Sequence, residues 1–238
     1  MFTWIFRLSP VVLLASCVGL GLGGGNARVS VTQDALVVEA PRGFCVDQEA
    51  RRDDGLSAFL VFGNCAGMSG SRFAAQPPVE AVLTATISEP GDAGGISAAL
   101  ADLPAYFGSP DGRAVLSRTG DPETVTLLQS FVAGDILYLR AQDESPGVVP
   151  GVEDIYWRAY FDLGPRIATL SVLAMDDARD DEAAQLSTLE SFVAGTRAAN
   201  PNVLPSAPDT APSTQAGLFN SGFFRGILGP RQAASSTQ

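Results

Sequence analysis

Four carboxylates near the middle of the chain are the residues whose type and spacing come closest to a catalytic pair. Asp143 and Glu144 precede a proline- and glycine-rich segment at positions 145–151, and Glu153 and Asp154 follow it. Two carboxyl groups across a cleft serve as general acid and as base or nucleophile in glycosidases. The same residues are also typical of the solvated ends of a surface loop. The sequence therefore leaves a carboxylate-based hydrolase of the cell envelope, for example of glycosidase type, as an alternative to a non-catalytic protein.

The absence of two residue types limits most other catalytic designs. The 238 residues contain no histidine, and all 15 basic residues are arginine. Without histidine there is no Ser-His or Cys-His dyad and no histidine metal ligand, and without lysine there is no Schiff base, no Ser-Lys pair and no P-loop. We therefore expect no catalytic motif, no cofactor and no metal site. The net charge of −11 disfavours nucleic acid as a partner.

Cys45 and Cys65 are the two cysteines expected to pair. The third, Cys17, belongs to an N-terminal segment with a separate role, so an even pair remains for the rest of the chain. A bridge between them would close a loop of about twenty residues and indicates an oxidising compartment. Two buried thiols or a redox pair are the alternatives, although the spacing is far from Cys-x-x-Cys and no lysine or histidine is present to lower a thiol pKa.

The N-terminus has the layout of a secretory signal peptide over residues 1–16. Arg7 precedes an apolar run that ends in small residues, and the run is shorter than the roughly 20 apolar residues that span a bilayer. Leu14-Ala15-Ser16-Cys17 then resembles the lipobox of bacterial lipoproteins. The resemblance implies that Cys17 carries the lipid, palmitate included, and becomes the first mature residue. Cleavage near residue 27 is the alternative.

The lipobox resemblance also implies a location. Residues 17–28 are rich in glycine and would form a flexible tether between the lipid and the folded domain. We therefore expect the protein to lie in the cell envelope, anchored to a membrane through its N-terminal lipid and facing the periplasm. The sequence does not distinguish the inner membrane from the outer one.

Residues 29–199 show the pattern of one α+β domain, a single antiparallel sheet packed against helices. Alternating or apolar runs predict strands at 35–40, 43–47, 58–65, 79–88, 124–132, 135–142, 153–163 and 166–175. We predict a helical turn at 48–55, a helix at 96–107 that Pro104 ends or kinks, and a helix from Asp176 to Arg197. The last four strands form two hairpins, joined at Ala133-Gly134 and Gly164-Pro165.

The order of these elements supports one family resemblance. The segment Trp157-Arg158-Ala159-Tyr160-Phe161, the strand at 168–174 and the closing-helix segment Leu189-Glu190-Ser191-Phe192 are similar to the PsbP-like sandwich of photosystem extrinsic subunits and their non-photosynthetic relatives. The resemblance implies a non-catalytic binding or assembly accessory. No functional residue is carried over from that family.

Strand alternation predicts a binding surface, because successive side chains of a strand point to opposite faces. In each of three neighbouring strands the apolar residues share one parity. The other parity contains tyrosine and arginine in two of the strands and Thr169 and Ser171 in the third. We expect the three strands to share one exposed face, on which five residues bind a partner: Tyr138, Arg140, Tyr156, Arg158 and Tyr160. Tyrosine and arginine are frequent in interface hot spots. Coverage by a helix, or pairing of the charges along a solvated sheet, is the alternative.

The C-terminus is expected to lie outside the domain. Residues 200–216 form a linker rich in proline, serine and threonine, which cannot build a core. Residues 217–238 contain Phe219, Phe223 and Ile227 at intervals of four and form a short amphipathic or disordered tail. Docking on a partner or bilayer and packing back onto the domain both remain open.

These observations together favour a membrane-tethered periplasmic lipoprotein that acts as a non-catalytic binding or assembly module. Its expected partners are the membrane, through the lipid on Cys17, and an unknown envelope protein. The expectation depends on the lipobox resemblance, the expected pairing of Cys45 with Cys65 and the absence of a catalytic constellation.

Overall fold

Ten strands and four α-helices make up the part of the chain that the structure describes. The structure is a computed structural model, and it describes residues 27–33, 35–91, 95–146, 151–175 and 181–203. The predicted signal peptide, Cys17, most of the predicted tether and the residues after 203 lie outside the described residues. Within the described ranges, no helix has the length and apolarity needed to cross a membrane.

Most of the strands belong to one antiparallel sheet in the spatial order β3-β5-β6-β10-β9-β8-β7, with β4 also paired to β5. The strands are β1 Arg28–Val31, β2 Leu36–Glu39, β3 Phe44–Val46, β4 Arg52–Asp53, β5 Ala58–Asn64, β6 Ala81–Ile87, β7 Val125–Ala133, β8 Ile136–Asp143, β9 Val152–Leu163 and β10 Arg166–Met175. Strands β1 and β2 form a separate hairpin. The helices are α1 Cys65–Ser69, α2 Leu103–Gly108, α3 Pro110–Leu116 and α4 Glu182–Ala198. The fold is therefore α+β, an antiparallel sheet packed against helices.

Two tight turns set the hairpins of the second half. Gly134 between β7 and β8 has a φ of 65°, and Gly164 between β9 and β10 has a φ of 59°. Only glycine adopts this left-handed conformation without steric cost. Both predicted hairpins are confirmed, within one or two residues at each end.

The first face of the sheet is covered by α4 and by the β1–β2 hairpin. Strand β9 contributes the fully buried residues Trp157, Ala159 and Phe161 to this core. From α4, Phe192 contacts Phe62 of β5 edge to face, with ring centroids 5.6 Å apart. Burial of each large apolar side chain among these contributes about 1.5–3 kcal/mol. This face contains the larger of the two core clusters.

The second face is covered by α2 and α3, which lie over β7, β8 and β9. Phe107 of α2 stacks on Tyr160 of β9 with ring centroids 5.3 Å apart. The Tyr156 hydroxyl donates to the Leu116 carbonyl at the end of α3, at 3.2 Å. Gly112 lets α3 approach α2, because a Cβ at this position would lie 2.0 Å from the Tyr106 carbonyl oxygen. The two short helices therefore depend on close backbone contact.

The prediction of one helix over residues 96–107 is wrong. The segment forms a 3₁₀ turn at Ser97–Ala99 and then α2, which begins at Leu103. Pro104 lies in the first turn of α2 and starts the helix instead of ending it. The missing N–H of proline costs nothing there, because the first-turn N–H groups have no partner within the helix.

Two other boundaries differ from the prediction. Helix α4 begins at Glu182, and the Asp181 carboxylate caps it by accepting a hydrogen bond from the Ala184 N–H at 2.9 Å. The predicted start at Asp176-Asp177 lies outside the described residues. The predicted helical turn at 48–55 is instead a turn followed by the two-residue strand β4.

A disulfide joins Cys45 of β3 to Cys65, the first residue of α1, with the two Cα atoms 4.9 Å apart. This is the pair expected from the sequence. It closes the β3–β5 connection at one edge of the sheet, where β3 is only three residues long. The bridge therefore reinforces a strand that backbone hydrogen bonds alone hold weakly.

Candidate functional site

Arg158 lies half-buried on the second face, next to the buried residues Thr169 and Ser171 of β10. Beyond it, β10, β6 and β5 continue the sheet, and the side chains that β5 and β6 place on this face are all partly or fully exposed: Phe59, Val61, Val82, Thr84 and Thr86. We call these five residues the open half-face. Its inner margin is formed by Arg158 with two residues of β10, Thr169 and Ser171.

Strand register places the margin and the open half-face side by side. Ser171 lies opposite Arg158 of β9 and opposite Thr84 of β6, and Thr84 lies opposite Val61 of β5. Directly opposed residues on antiparallel strands share a face, with Cβ atoms about 4.5–5.5 Å apart. A continuous row therefore runs from the arginine across two hydroxyl side chains to a valine.

The guanidinium of Arg158 is held on two sides. Its Nε donates to the Ser171 hydroxyl at 2.9 Å, and its Cζ lies 4.6 Å from the centroid of the Tyr156 ring. Its Nη1 makes a long contact of 3.5 Å with the Tyr160 hydroxyl. Within the described ranges, Arg158 forms no ion pair. A partly buried cation is thus positioned by hydroxyls and a ring, and the charge of the Asp143 carboxylate acts on it without direct contact.

The two tyrosines beside Arg158 remain protonated near neutral pH. Burial raises the pKa of Tyr156 to about 12, and burial also raises the pKa of Tyr160 above its ordinary value. The charge of Arg158 opposes both shifts without cancelling them. The Tyr160 hydroxyl therefore keeps its proton and adds no negative charge beside Arg158.

Thr169 brings an unused polar atom to the same margin. Its side chain is 3% exposed and lies opposite Tyr160 of β9 and Thr86 of β6. Its Oγ1 is buried and has no hydrogen-bond partner among the described residues. Burial of an unpaired hydroxyl costs about 1–3 kcal/mol, so this margin of the sheet is not optimised for stability.

The predicted exposed face of five tyrosine and arginine residues is wrong in two respects. Three of the five share the second face, but Tyr156 and Tyr160 are buried beneath α2 and α3. The other two, Tyr138 and Arg140, point to the first face, because Tyr138 lies opposite Ala159 and Arg140 opposite Trp157. Alternation separates the two faces of each strand correctly. In the register between β8 and β9, however, even-numbered residues of β8 share a face with odd-numbered residues of β9.

The two misassigned residues have structural partners on the first face. Arg140 pairs with Glu182 at the start of α4, with Nη1 2.7 Å from Oε2. Tyr138 stacks on Phe131 with ring centroids 5.2 Å apart. Both residues therefore hold β7, β8 and α4 together, and Arg158 is the predicted arginine that lies on the second face without an ion pair to a described residue.

The four carboxylates at residues 143–154 do not form a catalytic pair. Asp143 and Asp154 are brought together through Arg118, which contacts both carboxylates at 3.0 and 3.2 Å. Asp143 is fully buried and accepts further hydrogen bonds from Ser145 and Thr124. Glu144 is exposed and accepts a hydrogen bond from Gln142. Among the described residues, no three metal-binding side chains are grouped to hold an ion.

The electrostatics of Asp143 also oppose acid catalysis. Burial raises its pKa, but hydrogen bonds from Ser145 and from the Arg118 N–H outweigh burial, and the pKa lies below its ordinary value. A general acid of a glycosidase needs a raised pKa in order to be protonated at neutral pH. Asp143 therefore anchors a loop.

A concave region lies at the end of β9, and each charged residue in its lining has an ion-pair or hydrogen-bond partner. It encloses about 250 Å³ and includes Asp135, Asp162 and Arg197 in its lining. Arg197 pairs with Asp135, and the Asp162 carboxylate accepts hydrogen bonds from the Ile96 and Ser97 N–H groups at 2.8 and 3.0 Å. These charges stabilise the end of the sheet.

Thr169 and Ser171 were expected on the predicted face but not named as binding residues, and Thr84 was not predicted there. Their sequence signal is the alternation of hydroxyl and apolar residues in two strands, which marks a half-buried face but not its function. The pairing of β6 with β10, distant in sequence, is what places them beside Arg158.

Comparison with known proteins identifies no family. No protein-family model matches the chain, and no curated protein matches it. A mutant of the protein Mog1 is similar in structure, with 14% identity, a TM-score of 0.41 and coverage of 74% of this chain and 94% of that one. The Saccharomyces cerevisiae Ran-binding protein Mog1p is also similar in structure, with 13% identity and a TM-score of 0.41. The match covers 74% of this chain and 95% of that one.

Proposed function

We propose that the protein is a lipid-anchored periplasmic module that binds an envelope protein and has no catalytic role. The observation that carries the binding proposal is the open half-face, whose margin contains Arg158 without an acidic partner among the described residues. The lipobox at residues 14–17 supports the anchoring. The PsbP-like resemblance remains part of this proposal and rests on the sequence pattern alone.

The open half-face has the chemistry of a protein-binding surface. It combines Phe59, which is 38% exposed, and two valines with the hydroxyls of Thr84 and Thr86. Apolar side chains beside a partly desolvated arginine are typical of interface centres. Helices α2 and α3 border this surface on one side, so a partner segment would lie beside them on the sheet.

The hydrolase alternative receives no support from the geometry. Asp143, the carboxylate with the most hydrogen-bond contacts of those discussed above, is fully buried and bound to Arg118. A nucleophile or acid must contact its substrate, and Asp143 has no exposed surface.

Site-specific photo-crosslinking in intact cells tests the binding surface. A photoreactive residue replaces Thr84 on the open half-face, and a matched control replaces Thr126, an exposed threonine of β7 on the first face. We expect one protein, identified by mass spectrometry, to form an adduct at Thr84 and not at Thr126. Absence of a Thr84 adduct, or equal labelling at both positions, would contradict the proposed surface.

A further inference from the structure

We infer that Arg158, positioned by the hydroxyls around it, forms a recognition site for a carboxylate carried by a protein segment that lies on the open half-face. The inference rests on the proposed function and adds the chemical class of the group that is bound. The occupant is an aspartate or glutamate side chain or a C-terminal carboxylate of the partner, chosen by charge complementarity with Arg158.

The unused donors of Arg158 define the geometry of the site. A guanidinium has five N–H donors in a planar fork. Of these, Nε is occupied by Ser171, one Nη1 proton has only the 3.5 Å contact with Tyr160, and Nη2 makes no hydrogen bond with a described residue. The Nη1–Nη2 edge therefore remains for an acceptor with two oxygens, which is the geometry of a bidentate carboxylate.

The surroundings hold this edge in place. Stacking on Tyr156 and the bond to Ser171 restrict the guanidinium plane, so little side-chain entropy remains to be lost on binding. The Tyr160 hydroxyl lies beside Nη1, and the unpartnered Thr169 Oγ1 lies on the residue opposite Tyr160. Both residues are buried, so they position the guanidinium from below and leave its exposed edge to the ligand.

The charge balance favours a carboxylate over a phosphate. Arg158 is the basic residue that β9 places on this face, and β5, β6 and β10 place no other basic side chain beside it along the row. One guanidinium neutralises a monoanion, whereas a phosphate dianion would retain a negative charge in a partly buried site of a protein with net charge −11.

Nitrogen-15 NMR of arginine side chains tests the ligand class on the full mature chain in nanodiscs. The Arg158 Nε–Hε signal is assigned from its loss in Arg158→Lys. Three probes are titrated: N-acetylglutamate amide, its neutral glutamine analogue and inorganic phosphate. We expect a saturable shift with the glutamate probe and none with the glutamine probe, and about tenfold weaker binding of the phosphate.

Variants and the remaining outcomes complete the test. Binding of the glutamate probe, followed through the backbone amides of β10, should weaken about tenfold in Arg158→Lys, which keeps the charge but loses the fork. Binding should persist in the matched control Arg140→Lys on the opposite face. No shift with the glutamate probe, an equal shift with the glutamine probe, or tighter phosphate binding would each overturn the carboxylate assignment. A Thr84 adduct obtained alongside such a result would leave the proposed function standing.

Discussion

Asp143 binds Arg118 through both the main chain and the side chain of the arginine. The Asp143 Oδ2 accepts hydrogen bonds from the Arg118 backbone N–H at 2.8 Å and from its Nε at 3.0 Å. Oδ1 accepts from Ser145 and Thr124, so both oxygens of this buried carboxylate are occupied. The interaction joins the end of β8 to the segment after α3, and α3 in turn covers the tyrosines beside Arg158.

Asp143→Ala should lower the free energy of unfolding by about 3 kcal/mol at neutral pH, because it leaves the Arg118 donors without their buried partner. Arg118 keeps its contact with Asp154, which limits the loss. Chemical denaturation measures the change. Asp154→Ala is the control, since Asp154 is half exposed, and it should cost less than about 1 kcal/mol. Equal effects of the two substitutions would contradict the structural role of Asp143.

Acid titration gives a second readout of the same carboxylate. The pKa of Asp143 is lowered in the folded chain, so its stabilising contribution is present above the unfolded pKa of about 3.9 and is lost as the pH falls through the lower folded value. The wild-type protein should therefore lose stability below about pH 4 more steeply than Asp143→Asn. Parallel pH profiles would show that Asp143 titrates as it does in the unfolded chain.

Gly112→Ala should unfold or strongly destabilise the α2–α3 pair. Its Cβ would lie 2.0 Å from the Tyr106 carbonyl oxygen and 2.5 Å from the Phe107 Cα, both backbone atoms that cannot move alone. Gly108→Ala is the matched control, because a Cβ there meets nothing within 4 Å. We expect a drop in melting temperature for Gly112→Ala and no drop for Gly108→Ala. Similar melting temperatures would argue against the close approach of the two helices.

The paired substitution Cys45→Ser with Cys65→Ser should lower stability by about 3 kcal/mol, as expected for a bridge that closes a loop of this size. Thermal unfolding of the wild type with and without reductant is the companion measurement. Reduction should move the wild type to the melting temperature of the double variant and leave the variant unchanged. A wild-type melting temperature that reductant does not alter would show that the bridge is absent in the purified protein.

Cys17→Ser should abolish acylation, since Cys17 is the residue that the lipobox resemblance assigns to the lipid. Cells grown with labelled palmitate provide the measurement, and the Cys45→Ser, Cys65→Ser double variant serves as the cysteine control. Label should be present in the wild type and in the double variant and absent from Cys17→Ser. Retention of label in Cys17→Ser would exclude the lipobox.

The sequence predicts elements better than it predicts the relation between them. Periodicity located both hairpins of the second half because each strand alternates and each turn contains a glycine. Tyr138 and Arg140 were assigned to the wrong face because the register between β8 and β9 cannot be derived from the alternation within each strand. A shift of one residue in register exchanges the two faces.

Local sequence also cannot decide between strand and helix on its own. Residues 128–134 and 189–195 differ at a single position, yet the first segment lies largely in β7 and the second in α4. Their neighbours decide: the first follows Val125 into a hairpin with β8, and the second continues an amphipathic helix whose Leu189 and Phe192 are buried. The open half-face was unpredictable for the same reason, since strands distant in sequence assemble it.

The most direct test of the central claim, that the open half-face binds a partner through Arg158, is the yield of the Thr84 photo-adduct in cells that express Arg158→Gln. Arg140→Gln, on the opposite face and paired with Glu182, is the matched control, and cooperative thermal unfolding above the growth temperature establishes that both variants fold. We predict a loss of about tenfold in adduct yield for Arg158→Gln, since a charge-assisted bidentate contact is removed, and no loss for Arg140→Gln. An adduct yield that Arg158→Gln leaves at the wild-type level would contradict the claim.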